Sequence, residues 1–264
     1  MQMILHLPVN LILRTLTIKN RLETELILVN DWLMMNKIKV NYSKSKYMSF
    51  CFRGNKSFGN LNFGPSTLSN TSSTKFLGIY IDENLNFNSH VDAIANKISK
   101  TTGVLHRLNK FLPVGTLKML YNSLILPHLQ FGIEIWYSCS ERNHNRIFAL
   151  QKRSIRAIKS LQYRDHTNNH FKSLNLLKLE DLYKVNLLIH THGKNDLELH
   201  RNQHDYNTRN RNNLITPLFV HSKCQKTWLF KETKYWNDLP NSIQGINSTN
   251  SFKNALKKYF IGSY

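Results

Sequence analysis

The stretch Lys75–His90, KFLGIYIDENLNFNSH, marks a change of architecture within sixteen residues. Phe76, Ile79 and Ile81 are large and β-prone, and Gly78 lets a second backbone come close, so Lys75–Ile81 reads as a strand. Asp82–Asn86 carries turn chemistry, and Asn88 or Ser89 is suited to cap a following helix. On the upstream side, Leu22, Leu26, Val29 and Leu33 recur at three and four, which predicts a helix from Lys19 to about Asn36. Ile38–Asn41 and Tyr47–Phe52 read as strands, and Gly54–Ser73 as a loop or hairpin excursion. On the downstream side the period becomes helical. Val91, Ile94, Ile98, Val104 or Leu105, and Leu108 mark one helix ending before Pro113, and Leu117, Leu120, Tyr121 and Leu124 a second that breaks at Pro127. Arg142–Leu161 and Leu182–His190 follow, then a polar stretch, Lys194–Asn213, and two short helices at Thr227–Trp236 and Ser248–Ile261. The expectation is an α+β chain: a few antiparallel strands with a helix in residues 1–87, a helical region in 88–193, and a linker with a small helical region in 194–264.

Charge narrows the partner. Lys and Arg number 36 against 16 Asp and Glu, a net charge of +20, and each cation placed on a phosphate releases counterions. Nucleic acid is the expected partner, with no small-molecule substrate evident. Cys51, Cys139 and Cys224 are too few and scattered for a disulfide framework. The apolar run Ser123–Tyr137 is interrupted by Pro127, His128, Gln130 and Glu134, which argues against a membrane span. The start lacks a basic region and a small-residue cleavage site, so the expected location is intracellular, nucleus or cytoplasm.

The best binding feature lies in Arg142–Arg164. At 100° per residue, Arg142, Arg146, Arg153, Arg156 and Arg164 fall within about 40° of one line, on a helix roughly 30 Å long. Ile147, Phe148, Leu150, Ile155 and Ile158 take the other side, and no carboxylate is interleaved with the arginines. Such a face can follow several phosphates of a duplex, although a solvated basic face on a core helix is the commoner use of the pattern. Metal chemistry is poorly served. Asp82 and Glu83 are adjacent and would point to opposite faces of a strand, and Asp31, Asp92 and Asp181 are isolated. The pairs His190/His192 and His200/His204, and His221 with Cys224, match no four-ligand zinc spacing.

The blocks NDWLMMNKIKVNYSKSKYMSF and KFLGIYIDENLNFNSH, taken together, resemble the reverse transcriptases of jockey-like non-LTR (LINE) retrotransposons. That family carries a tryptophan helix, a Lys-Thr-Lys strand and a Phe-Leu-Gly primer grip in this order. Further on, LQKRSIRAIKS resembles its Leu-Gln-Lys-Arg-Ala-Ile-Arg helix, and Thr208-Arg209, Trp236-Asn237-Asp238-Leu239-Pro240 and Phe252-Lys253 with Leu256 resemble its C-terminal elements. The resemblance implies that Phe76, Leu77 and Gly78 form the primer grip, and that Lys44 or Lys46 is a candidate to protonate the pyrophosphate leaving group. It implies a Mg2+-dependent RNA-directed DNA polymerase when intact. The family's Tyr-Ala-Asp-Asp is absent before Trp32, so no catalytic residue and no cofactor is expected in this chain. DNA encoding Tyr-Ala-Asp-Asp-Thr, read one base late, can give Met-Gln-Met-Ile-Leu, which is Met1–Leu5. The expectation is a C-terminal fragment: the end of the palm, a thumb-like helical region and the C-terminal region, inactive alone but binding primer–template. The alternative is a non-catalytic basic nucleic-acid-binding or scaffold protein.

Overall fold

The computed structural model describes residues 15–50, 58–194, 213–217 and 228–264. Expectations resting on Met1–Leu5, Cys51, His200, His204, Thr208, Arg209, His221 and Cys224 lie outside the described residues. The fold is α+β, and the chain divides into two compact units, Met1–Ser89 and His90–Tyr264.

Among its described residues, the first unit holds helix α1 (Thr15–Met35), a 3-10 turn (Tyr42–Lys44) and five short strands. These are β1 (Lys46–Tyr47), β2 (Leu61–Phe63), β3 (Ser66–Asn70), β4 (Ser73–Phe76) and β5 (Ile79–Asp82). Its core is the apolar stripe of α1 against one sheet: Leu26 and Leu33 meet Leu61, Phe63 and Leu68. The strand order is β1–β3–β2, with β2 antiparallel and β1 parallel to β3. That parallel pair departs from the all-antiparallel expectation, as does 38–41, which forms no strand. Residues 61–70 form the anticipated hairpin, with Gly64 at a φ of +56°. A Cβ at Gly64 would stand 2.9 Å from Asn30 Oδ1, the atom that accepts the Tyr42 hydroxyl at 2.9 Å. Glycine is therefore required there by space as well as by backbone angle. The second sheet is the pair β4–β5, with Phe76 opposite Ile79.

Helices follow. Helix α2 (Asn88–Leu108) leads to α3 (Val114–Leu124), α4 (Leu126–Gln130), α5 (Ile133–Trp136) and α6 (Glu141–Lys159). Beyond these come α7 (Asn168–Ser173), α8 (Leu179–His192), α9 (Trp228–Asn237), α10 (Asn241–Gln244) and α11 (Thr249–Gly262). Pro127 does break the second helical stretch, and it sits in the first turn of α4, where its missing N–H costs nothing. The core of this unit includes Ile98, Leu105, Leu117, Trp136, Ile147, Ile155, Phe171, Leu188 and Phe252, each with no exposed surface.

A polar node runs through that core. Gln151 of α6 is fully buried. Its amide nitrogen donates to Tyr121 Oη and to the Leu177 carbonyl, each at 2.9 Å, and its oxygen accepts the Leu179 N–H at 2.9 Å. One side chain thus ties α3, α6 and the start of α8. Near the C-terminal end, Trp236 and Leu239 are buried and Asn237 clasps Leu214, donating to its carbonyl at 3.0 Å and accepting its N–H at 2.8 Å. Lys231–Thr233 lies within α9. There Glu232 is 3% exposed and is held by Lys194 Nζ at 2.6 Å and His190 Nδ1 at 3.4 Å.

Replacing Gln151 by Met keeps its length but strands three buried polar groups, each costing about 1–3 kcal/mol. Denaturant unfolding of Gln151→Met should show a loss of about 3 kcal/mol or more. A second test uses His90, which burial, reinforced by Lys97, holds down at about 4 against its ordinary 6.5. The unfolded chain takes up this proton first as pH falls, so stability present above about 6.5 is lost between roughly 6.5 and 4. Melting temperatures of His90→Asn should fall less steeply over that interval than those of the native chain.

Candidate nucleic-acid interface

Helix α6 begins at Ser140, whose hydroxyl accepts the Asn143 N–H at 3.4 Å, and ends at Ser160 with a left-handed φ of 55°. Its inner face is sealed by Ile147, Gln151, Ser154, Ile155 and Ile158, all without exposed surface, while Phe148 and Leu150 are half-buried. The side opposite is left to solvent. Arg142, Arg146 and Arg153 are exposed, and Arg156 is half-buried. Arg142 and Arg153 have no ion-pair partner among the described residues.

Two details differ from the sequence reading. Arg164 is not on the helix. The left-handed turn at Ser160 ends α6 five residues after Ile155, and Arg164 lies exposed in the segment beyond. The arginine line is also not free of carboxylates once the chain folds, because Asp92 of α2 pairs with Arg146. Both side chains are about half exposed, so the pair contributes little and leaves the guanidinium accessible. Arg156 is positioned instead by a carbonyl. Its Nε and Nη2 donate to Asp165 O at 3.2 and 3.1 Å, and its guanidinium lies 5.9 Å from the Tyr163 ring centroid. Arg146 and Arg156 are therefore pre-oriented, whereas Arg142 and Arg153 keep their rotamer freedom.

The stretch Lys75–Ile81 is two strands rather than one. Its two-residue loop is Leu77–Gly78, with φ of 45° and 93°. Positive φ at both central residues is the hairpin turn that suits strand twist, and asparagine–glycine is its usual occupant. Here leucine holds the first position and is 79% exposed. An apolar side chain is thus held in solvent at a strained angle, while Ile79 is buried and Phe76 half-buried. Lys44 ends the 3-10 turn and Lys46 opens β1, and both are exposed.

Asp82 and Asp181, two of the carboxylates considered for metal, are occupied elsewhere. Asp82 accepts three backbone amides, from Asn84 at 3.1 Å, Asn86 at 2.9 Å and Phe87 at 2.6 Å, and so shapes the loop before α2. Asp181 accepts the Tyr264 hydroxyl at 2.6 Å, and burial raises its pKa. His192 stacks on Phe252 with ring centroids 4.3 Å apart, and its Nε2 lies 2.6 Å from the Ile246 carbonyl oxygen. Among the described residues, no three His, Cys, Asp or Glu side chains converge as a metal site would need. Among them, too, no helix is long and apolar enough to cross a membrane.

The arrangement is that of a basic, helix-rich chain with an exposed arginine face. Three curated Drosophila melanogaster proteins are similar to it. It is 31% identical over 117 residues to the probable RNA-directed DNA polymerase from transposon BS, covering 43% of this chain and 13% of that protein. It is 23% identical over 155 residues to the RNA-directed DNA polymerase from mobile element jockey, covering 57% and 17% respectively. A third, the probable RNA-directed DNA polymerase from transposon X-element, is 24% identical over 179 residues, covering 66% and 19%. The chain thus spans less than a fifth of the length of these relatives. No protein-family model matches it, and no solved structure does.

A leucine with left-handed φ costs roughly 1–2 kcal/mol, which asparagine largely avoids. Leu77→Asn should raise the urea midpoint of the first unit, by about 1 kcal/mol of added stability.

Proposed function

We propose that this chain is the C-terminal part of a mobile-element RNA-directed DNA polymerase, comprising the end of the palm, a thumb-like helical region and the C-terminal region. In this reading it holds primer–template without extending it. The observation that carries the reading is α6: one face wholly buried, the other bearing Arg142, Arg146, Arg153 and Arg156 in a row. Nineteen residues of helix extend about 28 Å, enough to follow successive phosphates of a duplex. The similarity to three named polymerases supports the same assignment. In the first unit, the exposed Leu77–Gly78 tip is the primer-grip element, with Phe76 anchoring it, and it meets the primer's 3′ end. Lys44 or Lys46 is the leaving-group acid of the intact enzyme. Arg164 adds a phosphate contact from beyond α6.

Two measurements test this. Anisotropy with a labelled RNA–DNA hybrid should give an affinity that falls steeply with salt. Arg142→Glu/Arg153→Glu should weaken it about tenfold or more and reduce the salt slope by roughly two. An unchanged slope would remove α6 from the interface. Purified protein with Mg2+ or Mn2+ should add no nucleotide to a primed template, and template-dependent incorporation would overturn the non-catalytic part of the reading.

A further inference from the structure

A second cluster lies at the C-terminal ends of α2 and α6, where it shares Arg156 with the α6 arginine row. The chain leaving α2 is tied to the end of α6 by two contacts. The Asn109 amide donates to the Ala157 carbonyl, and the Ser160 hydroxyl donates to Asn109 Oδ1 at 2.9 Å. Each strand of this junction presents an aromatic ring to water within three residues of the tie. Phe111 is 80% exposed and Tyr163 is 87% exposed. Neither ring has an apolar periodicity to explain it, since Phe111 lies in the α2–α3 connection and Tyr163 in the turn after α6. Cations surround them. Lys110 and Arg164 are exposed sequence neighbours of the two rings, and Arg156 lies against Tyr163 with 5.9 Å between its guanidinium carbon and the ring centroid. Asp165, two residues beyond Tyr163, is engaged in accepting the Gln162 N–H at 2.8 Å.

We propose that this junction is a stacking site for single-stranded nucleic acid, in which Phe111 and Tyr163 take base faces and Lys110, Arg156 and Arg164 hold the flanking phosphates. The chemistry selects a single strand. Paired bases in a duplex hide their faces in the stack, whereas an unpaired base offers its π-face to any exposed ring. Arg156 adds a planar cation beside Tyr163, which extends the surface over which a base can lie. The site needs no base-edge hydrogen bonding, so it is tolerant of sequence. It shares Arg156 and Arg164 with the proposed duplex contacts, but its two rings, Phe111 and Tyr163, take no part in them.

The test uses the full chain with labelled 15-mers of dT and rU and a 15-base-pair duplex, titrated by anisotropy at fixed salt. Phe111→Ala and Tyr163→Ala should each weaken single-strand binding about fivefold or more, with duplex affinity changed less than twofold. Tyr163→Phe should retain the affinity, because stacking survives loss of the hydroxyl. Lys110→Gln should lower the salt slope by about one without erasing the ring effect. Whichever of dT and rU binds more tightly identifies the strand held. Both rings are solvent-exposed, so the variants should keep the native circular dichroism and melting temperature. The proposal is overturned if the native chain binds neither strand, if Phe111→Ala/Tyr163→Ala binds as the native chain does, or if single-strand and duplex affinities fall together. Loss of duplex binding alone would count against the α6 row and leave this site standing.

Discussion

Everything in the helical unit depends on α6 being held from within, and Gln151 is what holds it. A helix packed only through isoleucines can rotate or slide by a side chain's width at modest cost, because dispersion contacts are non-directional. Three hydrogen bonds from one buried amide, to α3 and to both sides of the entry into α8, allow a single azimuth. The Thr102–Ser154 hydroxyl pair at 2.7 Å fixes the same helix against α2. Once the inner face is set in this way, the outer face is free to be strongly basic, since none of its residues is needed for packing. The arginine row is therefore a by-product of a polar anchor on the other side.

Much of the fold was legible from spacing alone. The helices α1, α2 and α3 follow their three-and-four apolar recurrences, and the ends of α9 and α11 fall within a residue or two of those anticipated, because Pro240 and the polar stretch before Thr249 are strong boundaries. The hairpin tip was not legible, since leucine is a poor advertisement for a left-handed turn and KFLGIYI has the composition of one continuous strand. The early end of α6 was missed for a related reason: serine at a left-handed cap carries none of the signal that glycine would. The pairing of β1 with β3 in parallel was beyond reach, as two-residue strands have no period to read.

The candidate site shows the same division. Helical geometry puts Arg142, Arg146, Arg153 and Arg156 on one face, but pairwise partners come from other elements. Asp92 is 54 positions away from Arg146 and cannot be found by scanning one helix. Gln151 stands among cations in sequence, between Arg146 and Lys152, yet it is wholly buried. Phe111 and Tyr163 had no sequence signal either, being single aromatics in connections whose neighbourhood only the folded chain creates. Glu232 is the converse case. It stands as an acidic intrusion in a basic segment, and its meaning emerges from Lys194 and His190 on the facing elements.

The loop after β5 has a consequence for how this chain can vary. Leu85 and Phe87 both adopt left-handed backbone, with φ of 55° and 56°, in a segment that contains no glycine. The strain costs roughly 1–2 kcal/mol at each, so random substitution should find glycine or asparagine rewarding at either position. Position 87 is closed to that route. Phe87 is 3% exposed, and fully burying such a ring contributes about 1.5–3 kcal/mol, more than relief of the strain returns. Position 85, half-buried, has less burial to set against the same relief. Two neighbouring residues with the same backbone angle therefore face opposite selection, one held to a large apolar side chain and the other open to drift.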